Sequence, residues 1–366
     1  MKRSFFVVLV FLLGCQDLEA NKAVSPREGP WYAVGFSSAG ELVVFDATTG
    51  RVLGKGAGGG GRPRDLAWDD AGSLWLLEEN EDGSGSEILR CSLVFQGDSA
   101  LVGPCLHAAW VDGIAALWPN GRGVWVFEDG VAGSRVKVLR DGVVAKSVSV
   151  PRPASISQDG DRLDVFSYGM SEDTFEHFRV WGGESGIEIE RRPDALGAPL
   201  VFPPTARFIG VGNDRGYLWD IVDSDLAVAT LSGGTLSSFR KLAVGSPVSR
   251  IEAAAFFSGE ASGEASGLSL VVSTERAWVV SNAFLDSPPA PLGLGGVVSQ
   301  ERAFFSRDVA VFGRAALVAT DQGLRLFRVE KTESGEARGF RDERFDGDAL
   351  RGPILVLCHR LDTEIR

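Results

Sequence analysis

A pair of short apolar strands, joined by a turn of small and polar residues, recurs seven times along this chain and constrains its fold more than any other feature. The first copy is WYAVGFSSAGELVVFD, from Trp31 to Asp46. Short strands repeated in this way, with almost no helical periodicity, predict an all-β fold. The later copies begin at Asp65, Ile114, Ala154, Arg207, Leu268 and Ala315, and the turn centres are Gly40, Gly72, Gly121, Gly160, Gly216, Arg276 and Gly323.

The spacing of these hairpins indicates the architecture. Their turn centres lie about 47 residues apart on average, which is the length of a four-stranded β-propeller blade. The individual gaps run from 32 to 60 residues, so some hairpins are expected to be the first pair of strands in a blade and others the second. The sequence therefore predicts a β-propeller, with a pair of β-sandwiches as the alternative.

Prolines with a similar spacing predict the number of blades. Proline lacks an N–H group and is best tolerated where a strand begins. Since the successive gaps are 41, 49, 46, 48 and 106 residues, and the last is two periods, we expect seven four-stranded blades. The prolines that precede apolar stretches are Pro63, Pro104, Pro153, Pro199, Pro247 and Pro353.

The two ends of the repeat region complement each other. The first blade, from Trp31 to about Gly61, shows only three strands. PILVL, which begins at Pro353, supplies a fourth, and pairing it with the N-terminal strands would close the array without an exposed edge. We therefore predict that residues 31–366 form a single domain.

The N-terminus has the pattern of an export signal. Lys2 and Arg3 are followed by the apolar run FFVVLVFLL, which at nine residues is too short to span a bilayer. The run ends in Leu12-Leu13-Gly14-Cys15, which resembles the lipobox of bacterial lipoproteins at all four positions. The resemblance implies that residues 1–14 are removed and that Cys15 carries a diacylglyceryl group, with a cleaved soluble form as the alternative.

The residues after Cys15 are typical of a tether. Residues 16–30 are polar, contain proline and lack periodicity, and fully extended they would reach about 50 Å. Gln16 stands where an aspartate would favour the inner membrane, so the resemblance to lipoproteins of diderm bacteria implies an outer-membrane location in the cell envelope.

Two repeats resemble known propeller families. LVVFDATTGRVLG, from Leu42 to Gly54, resembles the repeats of YVTN-type surface propellers and of quinoprotein-like propellers. RPRDLAWDDAGSLWLLEEN, from Arg62, is similar to NHL-type repeats. Each resemblance covers one blade and implies a fold rather than an activity. Gly54 replaces the tryptophan that usually ends the quinoprotein-like motif, which argues against a quinone cofactor.

Few residues point to catalysis or to a cofactor. His107, His177 and His359 have no zinc-site spacing and are interpreted as strand or loop residues. The sequence contains no G-x-S-x-G elbow. GAGGGG, from Gly56 to Gly61, satisfies GxGxxG, but a proline and a strand follow where phosphate binding needs a helix, so we expect a flexible loop.

Two acidic turns leave calcium binding open. Asp159, Asp161 and Asp164 form one, and the second consists of Asn80, Glu81, Asp82 and Glu87. Both carry the oxygen ligands that calcium prefers, but neither fits an EF-hand loop. Solvated hairpin ends are the simpler interpretation of both turns.

Charge and the missing catalytic motifs together indicate a binding protein. The chain has 37 basic and 49 acidic residues, and removal of Lys2 and Arg3 takes the net charge from −12 to −14. Such a surface repels nucleic acid. We expect a non-enzymatic scaffold, without a cofactor, for an envelope protein, peptide or glycan. The alternative is a metal-dependent hydrolase or lactonase with Asn120, Asn213 and Asn282 over the propeller pore.

Cysteine usage predicts one crosslink. Lipidation of Cys15 leaves Cys91, Cys105 and Cys358, an odd number in an oxidising compartment. Cys91 and Cys105 flank a segment able to reverse the chain and bring the two thiols together. We expect a disulfide between them and a buried free thiol at Cys358.

The anchor can be tested by labelling. In bacteria grown with radiolabelled palmitate, the wild-type chain should take up label, because the Cys15 thiol is the nucleophile of the lipobox. Cys15→Ala should remain unlabelled and uncleaved, and wild type treated with globomycin should remain uncleaved. Absence of label from the wild-type chain would contradict lipidation.

Overall fold

The computed structural model describes residues 31–37, 40–80, 85–121, 123–140, 143–151, 153–159, 162–168, 175–182, 186–191, 207–211, 215–232, 235–236, 240–244, 247–248, 251–257, 268–273, 277–281, 290–292, 306–312, 315–320, 323–331, 337–341 and 353–360. Trp31–His359 form one compact unit. All regular secondary structure in the described ranges is β-strand, which confirms the all-β prediction. In that part of the chain no helix has the length and apolar character needed to cross a membrane.

The strands of the first half form sheets of neighbours in sequence. The first three strands are β1 (Trp31–Ser37), β2 (Glu41–Asp46) and β3 (Val52–Ala57). The next sheet contains β4 (Arg62–Trp68), β5 (Ser73–Glu79), β6 (Ser86–Gln96) and β7 (Ser99–Val111). Two more sheets follow, with β8 (Ile114–Asn120), β9 (Gly123–Gly130), β10 (Gly133–Arg140) and β11 (Val143–Ser149), and with β12 (Pro153–Asp159), β13 (Arg162–Tyr168), β14 (Phe175–Gly182) and β15 (Ile187–Arg191).

The second half continues the pattern, which brings the described residues to seven sheets. One sheet contains β16 (Arg207–Val211), β17 (Arg215–Val222), β18 (Asp225–Ser232), β19 (Thr235–Leu236) and β20 (Arg240–Leu242). The others contain β21 (Ile251–Phe257), β22 (Leu268–Ser273), β23 (Ala277–Ser281) and β24 (Ala290–Leu292), and β25 (Ser306–Phe312), β26 (Ala315–Thr320), β27 (Gly323–Lys331) and β28 (Ala337–Arg341). The last strand, β29 (Pro353–Arg360), lies next to β1, in the order β29-β1-β2-β3.

Each predicted hairpin coincides with a pair of antiparallel strands. β4–β5, β8–β9, β12–β13 and β16–β17 are the first two strands of their sheets. β1–β2, β22–β23 and β26–β27 are instead the second and third strands. This change of position within the sheet accounts for the uneven gaps between the repeats.

The turns show why the sequence signal is strong in some hairpins and weak in others. Gly40 and Gly72 have φ values of 79° and 81°, a region that glycine adopts without steric cost. Gly216, in contrast, lies inside β17, so the prediction of a turn centre there was wrong. Asp223 and Ser224 form the turn between β17 and β18 with φ values of 52° and 66°, a left-handed pair for which the sequence offers no glycine.

The prolines also divide into two groups. Pro63 is the second residue of β4, and Pro153 and Pro353 are the first residues of β12 and β29, as the sequence predicts. Pro104 lies within β7 instead of ahead of a strand, so that interpretation was wrong. Because β7 is the last strand of its sheet, its outer edge tolerates a residue without an N–H group. Pro199 lies outside the described residues.

The core consists of layers between neighbouring sheets. Side chains alternate along β1, so that Val34 and Phe36 pack with Leu76 of the β4–β7 sheet. Ala33 points the other way and packs with Leu317 of the β25–β28 sheet. Similar apolar layers join the β4–β7 and β8–β11 sheets, and the β8–β11 and β12–β15 sheets. Each of these sheets is thus covered by apolar side chains on both faces.

The first strands of successive sheets lie side by side, including β4 with β8, β12 with β16, β16 with β21 and β21 with β25. Polar side chains join some of them. Asp65 Oδ2 accepts a hydrogen bond of 2.7 Å from the backbone N–H of Leu117. Gln158 Nε2 donates to the carbonyl oxygen of Pro119, also at 2.7 Å. These contacts fix the register of one sheet against the next.

β6 and β7 are longer than the other strands of the described ranges, and β7 packs across β3. They contain 11 and 13 residues, and their far end reaches the preceding sheet. A Cβ at Gly54 would overlap the carbonyl oxygen of Ala100, and a Cβ at Gly56 would lie 2.5 Å from Val102 Cγ1. Gly54 therefore stands where a quinoprotein-like repeat has tryptophan because a neighbouring backbone occupies the space.

Substitution of Gly54 tests this crossing. Gly54→Ala should lower the free energy of unfolding by about 2 kcal/mol, because β7 must move to admit the methyl group. Gly182→Ala is the matched control, since Gly182 also lies in a strand but has no atom within 4 Å of the added Cβ. Urea unfolding of both variants would check this, and equal stabilities would contradict the close contact.

Candidate functional site

Several residues singled out from the sequence lie outside the described ranges. They include Cys15 and the tether, and Asn213 and Asn282 of the lactonase hypothesis. Glu81, Asp82 and Asp161 of the acidic turns also lie outside. The candidate site is therefore built from the remaining residues, most of which lie in the β4–β15 region.

One face of the β6–β7 pair brings together four of the predicted residues. Cys91 is opposite Cys105 in the register, and the two are joined by a disulfide with a Cα–Cα distance of 4.0 Å. The next pair on the same face is Leu89 with His107, and the one after it is Glu87 with Trp110. The face thus presents a disulfide, an imidazole and an indole in succession.

Glu87, His107 and Trp110 form what we call the Trp110 platform. His107 Nδ1 lies 2.7 Å from Glu87 Oε1, and its ring centroid lies 4.8 Å from that of Trp110. Trp110 is 60% exposed, a high value for the largest apolar side chain. The disulfide crosslinks β6 and β7, the two strands that carry the platform. The side chains of the platform therefore project from a strand pair that is covalently held together.

Leu106 projects from the opposite face of β7. It is opposite Arg90 in the register and is 64% exposed. Val94 and Leu101 form another exposed cross-strand pair nearer the hairpin tip, at 50% and 54%. The outer strand of this sheet therefore presents apolar side chains to solvent on both of its faces.

A buried carboxylate holds the glycine-rich loop. Glu78 Oε1 accepts a hydrogen bond of 2.9 Å from Gly59 N, and Oε2 accepts one of 2.8 Å from Gly61 N. Burial raises the pKa of Glu78, the two amides lower it, and the charge of Glu87 raises it further. The backbone donors that a phosphate would need are thus bound to the protein's own carboxylate. The expected flexible loop is instead anchored at two amides.

Asp65 is a second perturbed carboxylate in the same sheet. Its oxygens accept hydrogen bonds from Leu66 N and Leu117 N, each within 2.8 Å. Burial raises the pKa of Asp65 to about 6, although both hydrogen bonds favour the charged form. Asp65 links the β4–β7 sheet to the β8–β11 sheet through a backbone N–H group. This structural role explains the buried carboxylate without any bound ligand.

His177 belongs to a buried charged cluster. His177 Nε2 lies 2.7 Å from Asp164 Oδ1, and Arg179 Nε donates to the same oxygen at 3.0 Å. His177 also stacks on Phe166, with ring centroids 4.5 Å apart. Burial would raise the pKa of Asp164, but the hydrogen bonds from His177 and Arg179 outweigh it and hold the pKa below its ordinary value. Asp164 is therefore hydrogen-bonded to residues of its own sheet. This argues against calcium binding by Asp164 in the turn that contains Asp159.

The other predicted residues are scattered. Asn120 is buried at the end of β8, and in the described part of the chain its Nδ2 has no hydrogen-bond partner. Glu87 of the second acidic turn is bound to His107. Cys358 and His359 lie in β29. Among the described residues, no group of three His, Cys, Asp or Glu side chains is arranged to hold a metal ion.

Sequence analysis missed the Trp110 platform, although part of it could have been found. With Cys91 opposite Cys105, moving two residues along each strand places Leu89 opposite His107. Moving two residues further along each strand would place Ala109 opposite Glu87. A bulge at Ala108 shifts the register, however, and brings Trp110 opposite Glu87 instead. No local residue pattern marks that bulge.

Asp164 is the residue whose loss should destabilise this region most. Asp164→Asn should lower the free energy of unfolding by about 3 kcal/mol at pH 7, because the substitution removes the buried anion that is hydrogen-bonded to both His177 and Arg179. The difference from wild type should shrink as the pH falls below 3.8 through the lower pKa of the folded state, since Asp164 then becomes protonated in both states.

Asp223→Asn is the control for that measurement. Asp223 also has a pKa lowered by a basic partner, Lys241, but the pair is exposed to solvent. We expect its loss to leave urea unfolding nearly unchanged. Equal effects of the two substitutions would contradict a special role for the buried cluster.

Comparison with known proteins identifies the fold but no family. No family model matches this chain, and no curated protein matches it. A solved structure of AztD from Citrobacter koseri covers 92% of this chain and 100% of its own, at 12% identity and a TM-score of 0.52. A candidate 6-phosphogluconolactonase from Bacteroides uniformis covers 91% and 100%, at 12% identity and a TM-score of 0.59. A protein from Lactobacillus plantarum is 13% identical, with a TM-score of 0.54.

These structural neighbours are β-propeller-like proteins. At identities of 12–13% the likeness extends to the fold and not to a ligand or an activity. The chain therefore has an all-β, propeller-like architecture.

Proposed function

We propose that this chain is a lipid-anchored envelope protein whose body binds a partner without catalysing a reaction. The lipobox that ends at Cys15 supports the anchor, and the polar segment 16–30 supports a tether that holds residues 31–366 away from the membrane. Gln16 supports the outer membrane of a diderm bacterium as the location. The body then faces an aqueous compartment of the envelope.

The body is proposed to be a propeller of seven blades, closed by its terminal strands. The neighbouring positions of β29 and β1 in one sheet support this closure. Ala33 and Leu317 support it independently, since they belong to one apolar layer although they lie in the first and last thirds of the chain. A closed array joins the first blade to the last and provides a rigid scaffold for loops and outer strands.

The exposed outer strand β7 is the observation that carries the binding function. Trp110 and Leu101 are each more than half exposed on the β6–β7 strand pair, which the Cys91–Cys105 disulfide crosslinks. Ordered aromatic and aliphatic side chains of this kind are typical of protein and peptide contact sites, because they bury large areas with little loss of conformational freedom. An envelope protein, a peptide or a glycan is the proposed partner.

A metal-dependent hydrolase or lactonase is the alternative function. The likeness to the candidate 6-phosphogluconolactonase favours it at the level of fold. The carboxylates of Glu78, Glu87 and Asp164 favour binding instead, since each is already hydrogen-bonded to groups of its own chain. Metal analysis of the purified protein would discriminate between the two functions.

The binding function predicts salt-sensitive capture. Crosslinking and pull-down from envelope membranes at low salt should recover a specific partner, and high salt should weaken recovery because the net charge of −14 of the chain without residues 1–14 contributes to attraction. A purified protein that captured nothing, but hydrolysed a lactone or ester until a chelator was added, would support the alternative function and overturn this one.

A further inference from the structure

The Trp110 platform combines an exposed aromatic ring with a carboxylate of fixed orientation. Trp110 is opposite Glu87 in the register, and His107 Nδ1 holds Glu87 Oε1 at 2.7 Å. The face of an indole ring attracts cations, and a carboxylate accepts hydrogen bonds from ammonium and guanidinium groups. The two groups lie on the same face of the ladder, so a single basic side chain can meet both.

The charge around the platform is strongly negative. Residues 62–112 contain three arginines, no lysine and ten Asp or Glu residues, a net charge of −7 within a chain of −12. Two of the arginines already have partners in the same sheet, since Arg64 pairs with Glu79 and Arg90 donates to Ser73. The negative electrostatic potential around this sheet therefore favours a cationic ligand over a neutral or anionic one.

The same sheet already contains a contact of the kind required. The guanidinium carbon of Arg90 lies 5.4 Å from the centre of the Trp75 ring, with Ser73 as its hydrogen-bond partner. Trp75 is fully buried, so its ring is available only to the protein's own arginine. Trp110 offers an equivalent ring on the outer strand, open to a side chain from another molecule.

We propose that the Trp110 platform binds a lysine or arginine side chain of a basic partner polypeptide. The apolar stem and cationic head lie over the Trp110 ring, and the head donates a hydrogen bond to Glu87, which His107 orients. This inference rests on the proposed binding function and assigns it one site and one ligand chemistry. It also accounts for an exposed tryptophan next to a paired His and Glu on a disulfide-braced strand.

A defined peptide tests the site in the intact protein. The mature lipidated protein in a non-ionic detergent is titrated against a fluorescein-labelled ten-residue peptide of alternating Lys and Thr, and anisotropy is recorded at low salt. Trp110→Ala should weaken binding by about two- to fivefold, the range of an exposed cation–π contact. Glu87→Gln should weaken it as well, because the hydrogen-bonding anion is lost.

Leu106→Ala is the matched control. Leu106 lies on the same strand, is similarly exposed and projects from the opposite face, so its removal should leave the affinity unchanged. Urea unfolding should show that all three variants retain wild-type stability. Equal weakening by Trp110→Ala and Leu106→Ala would overturn the assignment, as would equal wild-type affinity for a peptide of alternating Gln and Thr.

Two further results separate this inference from the binding function itself. If a chitin oligosaccharide bound in a Trp110-dependent way and the Lys peptide did not, the cationic ligand would be excluded. If Trp110→Ala captured as much envelope partner as wild type, the platform would be excluded while the binding function stood. Loss of capture in Trp110→Ala, with capture retained in Leu106→Ala, would support the platform.

Discussion

Burial of both faces of each sheet is the constraint on which the rest of this structure depends. A strand sends alternate side chains to opposite faces, so a sheet with apolar residues at every position needs a neighbour on each side. β1 illustrates this, with Val34 and Phe36 in one apolar layer and Ala33 in another. Full burial of a valine or phenylalanine side chain, such as Val34 or Phe36, contributes about 1.5–3 kcal/mol. This requirement explains both the repeated apolar strands of the sequence and the stacking of the sheets against one another.

The same constraint explains where polar side chains lie. Between packed sheets a carboxylate loses its water, so it must find donors within the protein. Asp65 uses backbone amides of its own and the adjacent sheet, Glu78 uses two loop amides, and Asp164 uses His177 and Arg179. Buried carboxylates can serve as catalytic residues, yet each of these three is part of the framework. Trp110, on the outer strand β7, is in contrast exposed and available for contact with other molecules.

The fold could be predicted further from the sequence than the site could. Several features of the fold depend on local sequence and can be recognised in a single chain. They are the alternation of side chains in strands, turn glycines such as Gly40 and Gly72, and prolines near the start of a strand, such as Pro63. The site depends on non-local events. The crossing of β7 over Gly54 and the bulge at Ala108 decide which side chains meet, and neither leaves a local pattern. Asp223 and Ser224 show the same limit on a small scale, because they form a left-handed turn without glycine or asparagine.

The glycine-rich loop shows how composition can mislead. Added methyl groups at Gly58 and Gly59 would meet Phe36 Cζ at 2.7 Å and Leu89 Cδ1 at 2.5 Å, and one at Gly61 would meet the carbonyl oxygen of Glu79 at 2.8 Å. The run GAGGGG looks like a spacer that would accept almost any replacement. Gly58, Gly59 and Gly61 are instead small because neighbouring groups leave no room, so these three positions should tolerate substitution poorly. Low sequence complexity here reflects close contacts with neighbouring groups, and a screen that trims such runs as linkers would remove a segment that packs against Phe36, Glu78 and Leu89.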